Sequence, residues 1–365
     1  MKSRVLRPAI IFCLLLTLCG CETVNDESLP EVINNQPGVQ NSFDQNDYAI
    51  KDQGGPILQN LADISPGQYL QTLEFMDDTA LVFAMTGTGT NSEPYTYITT
   101  FDTNENTVIA HMEIEETNIQ FTKDFLYLPF MDELLLLPEL EWASDSILVG
   151  YKGGIVSESG AWVVPYSNSE EVMTFTNRYT GETVSVKLNE KYPRVKGTNG
   201  FLNDNTVIHT YCDDFANTFG IGITSMEGAE DFYETQDTHI AVVNGHALTS
   251  MRYFWDAADY PYIRKTDTQN KLVDTTIPNE GEFKLTADGK YIRQWRLANN
   301  YTTDFVGSFL VNVYDYDTEK LVQSFDVQFE DGYTYAQDSC AVSTDGNKIA
   351  FLSVKEGERF LCILE

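Results

Sequence analysis

The sequence predicts an all-β chain, a β-propeller of six to eight four-stranded blades, with seven the preferred count. Three observations lead there. Tyr and Phe are abundant, at 20 and 21 of 365 residues, and aromatic and β-branched residues favour strands. Few stretches carry a helical period. A short unit of a turn followed by an apolar strand also recurs, in repeats of about 40–60 residues holding about four short strands each. One such sheet cannot bury both faces alone, whereas blades stacked around an axis can. The competing architectures are a large sandwich or two smaller β-domains.

Taken in order, residues 1–20 read as an export leader. Lys2, Arg4 and Arg7 form a basic start, and Ala9 to Leu18 is an apolar run of ten residues. That is too short for a bilayer span, which needs about 20. Leu18-Cys19-Gly20-Cys21 then resembles a bacterial lipobox. The resemblance implies cleavage after Gly20 and a diacylglyceryl group on Cys21. The alternative is an ordinary secretory signal. Residues 21–47 are polar, with no apolar period, and read as a flexible tether. A coil of that length spans roughly 28 Å.

Residues 48–365 carry the strands. The unit is plainest at the end, in STDGNKIAFLSVKEGERFLCILE, Ser343 to Glu365. Asp345-Gly346-Asn347 is a turn, Ile349 to Leu352 an apolar strand, Glu356-Gly357-Glu358 a second turn, and Phe360 to Leu364 a final strand. Similar turns are read around Asp78, Asp124, Asp145, Asp204 and Asp288, and at Asn244-Gly245. A second plan, strand, polar turn, strand, appears in YITTFDTNENTVIAHM, MTFTNRYTGETVSVKL, YIRKTDTQNKLVDTTI and VNVYDYDTEKLVQSFD. Each of its turns opens with Asp or Asn, whose side chains bond their own backbone. The last blade lacks a fourth strand, and Tyr48 to Leu58 or Gln68 to Phe75 is expected to supply it and close the ring.

Ser343 to Glu365 resembles the TolB-type propeller repeat, a Ser-Pro-Asp-Gly-Lys turn before an Ile-Ala-Phe strand. Thr344 replaces the proline, and Asn347 precedes Lys348. Leu285 to Tyr291 matches more loosely, with Ala287 in the proline position. The resemblance implies an envelope binding scaffold; some relatives of this kind gate a peptidase domain.

The formal charge is −32. Removing the leader lowers the basic count from 23 by three, to 20 against 55 acidic residues, or −35. Such a surface repels phosphate backbones, so nucleic acid is not an expected partner.

Catalytic patterns are sparse. Asp102, Asn104, Asn106 and Glu113 fit positions 1, 3, 5 and 12 of a calcium loop. Thr107 stands where that loop needs Gly, however, and strands flank it, so a hairpin turn is the preferred reading. Asp315-Tyr316-Asp317 and Asp213-Asp214 are pairs expected by chance among 55 acids. His111, His209, His239 and His246 have no metal-ligand spacing, and there is no Gly-x-Ser-x-Gly elbow. No catalytic residue, metal or cofactor is assigned. The most aromatic stretch runs from Arg252 to Tyr262; Tyr253, Phe254, Trp255, Tyr260 and Tyr262 are the candidate recognition residues, since aromatics stack on sugars and peptides.

Cys340 and Cys362 are expected to be unpaired. They fall on the first and third of three neighbouring strands, about 9.6 Å apart, beyond the roughly 6.8 Å reach of a disulfide. The function expected from all this is a lipid-anchored, monomeric binding module outside the cytoplasm, contacting an envelope protein or polysaccharide. The alternative is a glycan-acting hydrolase or lyase with a site in the propeller funnel.

Overall fold

The computed structural model describes residues 57–61, 65, 69–88, 94–143, 153–166, 172–188, 195–213, 218–228, 230–234, 239–250, 262–297, 308–328 and 334–365. They form a β-propeller of seven four-stranded antiparallel blades. In chain order, β1 (Ile57–Asn60) stands apart. Blade 1 follows as β2 (Tyr69–Phe75), β3 (Ala80–Thr88), β4 (Pro94–Asp102) and β5 (Thr107–Ile114). Blade 2 is the smallest: β6 (Gln120–Phe121), β7 (Phe125–Leu128), β8 (Glu133–Leu136) and β9 (Glu141–Trp142). Blade 3 holds β10 (Gly154–Val156), β11 (Trp162–Pro165), β12 (Val172–Asn177) and β13 (Thr183–Lys187). Blade 4 holds β14 (Val195–Asn203), β15 (Thr206–Asp213), β16 (Thr218–Ser225) and β17 (Glu230–Glu234). Blade 5 holds β18 (His239–Val243), β19 (His246–Ser250), β20 (Tyr262–Thr266) and β21 (Leu272–Pro278). Blade 6 holds β22 (Glu282–Leu285), β23 (Tyr291–Leu297), β24 (Ser308–Asp315) and β25 (Leu321–Gln328). Blade 7 is β26 (Thr334–Val342), β27 (Ile349–Lys355) and β28 (Glu358–Leu364), completed by β1.

Ring closure comes from β1, which overlaps the first expected segment, Tyr48 to Leu58, at Ile57 and Leu58 and runs on to Asn60; residues 48–56 lie outside the described residues. β1 pairs with β28 antiparallel, Leu58 opposite Cys362 and Asn60 opposite Phe360. Tyr69–Phe75, from the other expected segment, is instead the inner strand of blade 1. An N-terminal strand thus finishes the C-terminal blade and covers an edge that would otherwise expose unpaired backbone groups.

Each blade-to-blade interface has its own apolar cluster. Blade 7 packs on blade 1 through Ala341, Ala350, Leu352 and Ile363 against Leu73, Phe75, Phe83 and Phe101. Blade 6 meets blade 7 through Val311, Val313 and Phe325 against Val342, Ile349 and Phe351. Both faces of a blade are therefore dry. That is why central strands are continuous apolar runs, such as the fully buried Leu81 to Met85.

Polar groups also enter these interfaces. Arg178, on the β12–β13 turn, is 1% exposed and runs into blade 2. Its Nε donates to Asp132 Oδ1 at 2.9 Å, Nη2 to the Asp132 carbonyl at 2.7 Å and Nη1 to the Gly160 carbonyl at 3.1 Å. Tyr127 donates its hydroxyl to the same Asp132 oxygen and lies under the guanidinium. Burial first, and then the Asp132 charge, hold the Tyr127 hydroxyl far above its ordinary pKa. Tyr316, at the same point of the β24–β25 turn, enters blade 5 and donates to the Thr266 carbonyl at 2.7 Å.

The buried His209 is a packing residue. It bonds Thr224 at 2.8 Å and stands edge-on to Tyr211. Burial lowers its pKa to about 3, so it is neutral.

Two outcomes follow. Asp132→Asn leaves Arg178 charged, buried and without its counter-ion, and should cost about 3–5 kcal/mol. A denaturant midpoint unchanged from wild type would refute that role. Cys340 and Cys362 sit opposite Phe351 from either side, on β26 and β28, and both are free and buried. Burial pushes each thiol up to about 12. Alkylation without reductant should label both after denaturation and neither before it, as read by peptide mass.

Candidate functional site

The inner strands of neighbouring blades touch around the ring, β10 against β14, β14 against β18, β18 against β22, and β2 against β26. Each blade starts at the axis and folds outward, so the seven inner hairpin turns emerge at one end of the channel. Hydrogen bonds between successive turns place them side by side. Ser159 of blade 3 donates to Asp204 of blade 4 at 2.6 Å. Asn244 of blade 5 donates to the Asp288 carbonyl of blade 6 at 2.6 Å. Thr344 of blade 7 donates to Asp78 of blade 1 at 2.6 Å.

The repeated sequence unit is this turn. A hydroxyl closes it by accepting the N–H five residues on: Lys348 to Ser343 at 2.9 Å, Tyr291 to Thr286 at 3.0 Å, Trp162 to Ser157 at 3.1 Å. The same hydroxyls of Ser343 and Thr286 donate to Asp345 and Asp288 two residues on, at 2.6 and 2.7 Å. Gly follows because the turn needs positive φ and close contact. A Cβ on Gly289 (φ 75°) would lie 2.5 Å from His246 of blade 5, and one on Gly245 (φ 75°) 2.9 Å from the Leu202 carbonyl of blade 4.

Six of the seven sequence-read copies are these turns. The Asp145 copy lies outside the described residues, and the inner turn of blade 3 is instead Ser157-Glu158-Ser159-Gly160. Ser159 takes the Asp position there, which hid it. The shared frame of a hydroxyl, two residues and Gly was the available signal. The second plan is the outer hairpin of blades 1, 3, 5 and 6. Asp102 Oδ1 accepts the amides of Asn104 and Glu105, as a turn residue does. Asp267 accepts from Gln269 and Lys271 in the same way.

The inner strands of blades 2 to 5 line a half-open cavity of about 90 Å³. Gln120, Val156, Asn199 and Val242 line its wall, and Glu158 and Asn244 come from the inner turns. Gln120 is fixed by a two-way bond with the Val156 backbone. The Oδ1 of Asn199 is buried with no hydrogen-bond partner. The Glu158 pKa is raised, first by burial and then by repulsion from Asp124 and Asp204 in the flanking turns, with Lys123 opposing. Glu158 lines the cavity, and Asp124 and Asp204 act on it from the inner turns of blades 2 and 4.

A second charged group lies across blade 7. Glu74 of β2 reaches Arg293 of β23, which is fully buried, and lies 3.7 Å from Lys284 Nζ. Burial is the main cause that pulls the Lys284 ammonium below its usual pKa; Glu74 opposes and Arg293 adds to it. Neither this group nor the rim was legible in sequence, because the partners come from different repeats. Among the described residues no cluster of His, Cys, Asp or Glu has the geometry to hold a metal.

Of the candidate recognition residues, Tyr253, Phe254, Trp255 and Tyr260 lie outside the described residues. Tyr262 is 46% exposed at the start of β20. β19 ends and β20 begins at the end of the blade away from the inner turns, so the structure does not bring Tyr262 to the carboxylate rim. Cys21 also lies outside the described residues.

No protein-family model matches the sequence, and no curated protein matches it. Among solved structures, the chain is similar to TolB from Acinetobacter baumannii, at 10% identity and a TM-score of 0.37, over 78% of this chain and 80% of that one. It is similar to the β-propeller domain of the Trilobed protease from Pyrococcus furiosus, at 10% identity and a TM-score of 0.38, over 81% and 82%. An oligogalacturonate lyase in complex with manganese matches at 10% identity and a TM-score of 0.38, over 87% and 94%.

The rim makes a stability prediction. A carboxyl whose folded pKa is raised binds its proton more tightly folded than unfolded, so its charge is a folding penalty above the raised value. That penalty fades as pH falls. Glu158→Gln should therefore stabilise the protein at pH 7, with the gain shrinking on acidification. Melting curves at pH 7 and pH 4 check this; a loss of stability at pH 7 would contradict it.

Proposed function

We propose that this chain is a lipid-anchored extracytoplasmic protein whose propeller is a non-catalytic binding module. The observation that carries the binding reading is the axial cavity with the Glu158 carboxylate at its edge. Its groups accept hydrogen bonds and carry charge; Gln120 is already committed to backbone, and no nucleophile–base pair lies among its lining residues. An envelope protein or polysaccharide is the partner class. The anchor reading rests on Leu18 to Cys21 and the polar tether behind it.

The alternative is a glycan-acting hydrolase or lyase. The raised pKa of Glu158 favours it, since a general acid must hold its proton near working pH. Capture of a specific envelope partner by the propeller, weakened by Glu158→Gln and accompanied by no turnover of an oligosaccharide, supports the module. Turnover of an oligosaccharide abolished by that change would replace it with the enzyme.

The anchor is tested separately. Two acyl chains hold a protein on a membrane firmly where one does not, and a domain this acidic is repelled by anionic headgroups. Cys21→Ala should release the protein from membranes and leave its melting curve unchanged. A variant that still pellets with membranes after a high-salt wash, or a wild-type mass equal to the bare polypeptide, would rule the anchor out.

A further inference from the structure

We infer that Lys284, on the axial strand of blade 6, is a covalent capture site whose amine condenses with an aldehyde. Glu74 Oε1 pairs with Arg293 Nη2 and stands 3.7 Å from Lys284 Nζ. Among the described residues, two cations therefore face one carboxylate. Arg293 is fully buried, and a guanidinium keeps its proton at any working pH. Its contact with Glu74 completes one ion pair and leaves Lys284 as the surplus cation. Lys284 on β22 is also the cross-strand partner of Arg293 on β23, so the two positive charges are neighbours.

An ammonium carries three donors, yet Lys284 Nζ lies beyond hydrogen-bond distance of Glu74. Lys265 shows a settled ammonium in the same protein. Its Nζ donates to the carbonyls of Tyr316 and Asp317, at 2.6 and 3.2 Å, and pairs with Glu319 at 2.9 Å. A lysine short of partners and beside another cation gives up its proton readily, and the neutral amine is a nucleophile. Besides Glu74 and Arg293, Cys340 of β26 acts on Lys284, and its thiol is pushed up to about 12 and so carries no charge. On its own strand the nearest acid is Glu282, two residues away. The Lys284 side chain is 38% exposed, so a small molecule reaches it where Arg293 is sealed off. In the capture step the amine nitrogen attacks the carbonyl carbon. A C–N double bond replaces the carbonyl bond, and the oxygen leaves as water with the two amine hydrogens, so no oxidant or reductant is consumed. The imine formed is uncharged, which leaves Glu74 with Arg293 as its one counter-ion.

The test uses the full-length protein in detergent, propanal with cyanoborohydride to fix the imine, and peptide mass to read each lysine from pH 7 to pH 10. A second arm replaces propanal with the reducing end of a short oligosaccharide, which separates a free aldehyde from a glycan as the source. The measured quantity is labelling of Lys284 relative to the exposed Lys271 and Lys320. Ordinary lysines, with a pKa of about 10.4, gain neutral amine throughout that range, whereas Lys284 already holds it. The ratio should therefore fall by roughly fivefold or more as pH rises. Access alone would change the ratio's size and not its slope. Glu74→Gln removes the opposing anion and should raise the ratio at pH 7; Arg293→Met removes the competing cation and should flatten its slope. Melting curves show whether each variant is folded, and the wild-type slope decides the matter without them. A falling ratio in either arm supports the inference. A ratio that does not change with pH, or no labelling of Lys284 in the folded protein, overturns it.

Discussion

Seven four-stranded blades bury their faces only if the ring is closed, and the pairing of β1 with β28 closes it. A strand from the start of the domain completes the sheet at its end. Every apolar interface then has a neighbour on both sides, and no blade is left as a terminus. The strand is only four residues long, so its backbone bonds do not hold the ring alone. The larger contribution is the apolar cluster between blades 7 and 1, which forms only when the two ends meet. Glu74 adds a polar link that spans blade 7, from blade 1 to Arg293 of blade 6.

Most of the fold was legible because its turns are local. A hydroxyl, an Asp and a Gly within four residues close an inner hairpin, and an Asp or Asn opens each outer one. Neither needs a distant partner, so the sequence carries them in plain order. Ser159 escaped because a serine does there what Asp does elsewhere. Arg178 and Tyr316 escaped for a different reason. They occupy matching points of two outer turns, yet their side chains act on the preceding blade. The Glu74–Arg293 pair spans 219 residues. Such links depend on blade order, which local pattern does not encode.

The same distinction sorts the acids. With 55 acidic residues and a charge of −32, most carboxylates need no partner beyond water. Several spend one oxygen on nearby amides: Asp77, Asp102, Asp267, Asp315 and Asp345 all accept such bonds. Those bonds hold Asp267 and Asp315 below the usual carboxylate range, which marks them as structural. Glu158 is shifted the other way. It sits in a turn closed by Ser157 and Ser159, so the hairpin does not require its carboxylate.

That independence is what makes the rim the candidate site. An acid that built its turn would be explained by folding alone. Glu158 is instead held, half-buried and beside two like charges, where its ionisation opposes stability. A carboxylate that burial and its neighbours disfavour, and that its own turn does not need, marks a candidate for a role outside folding. The Arg178–Asp132 pair shows the contrast. It too is buried and charged, but its atoms bond across a blade boundary, so it accounts for itself as a joint between blades 2 and 3.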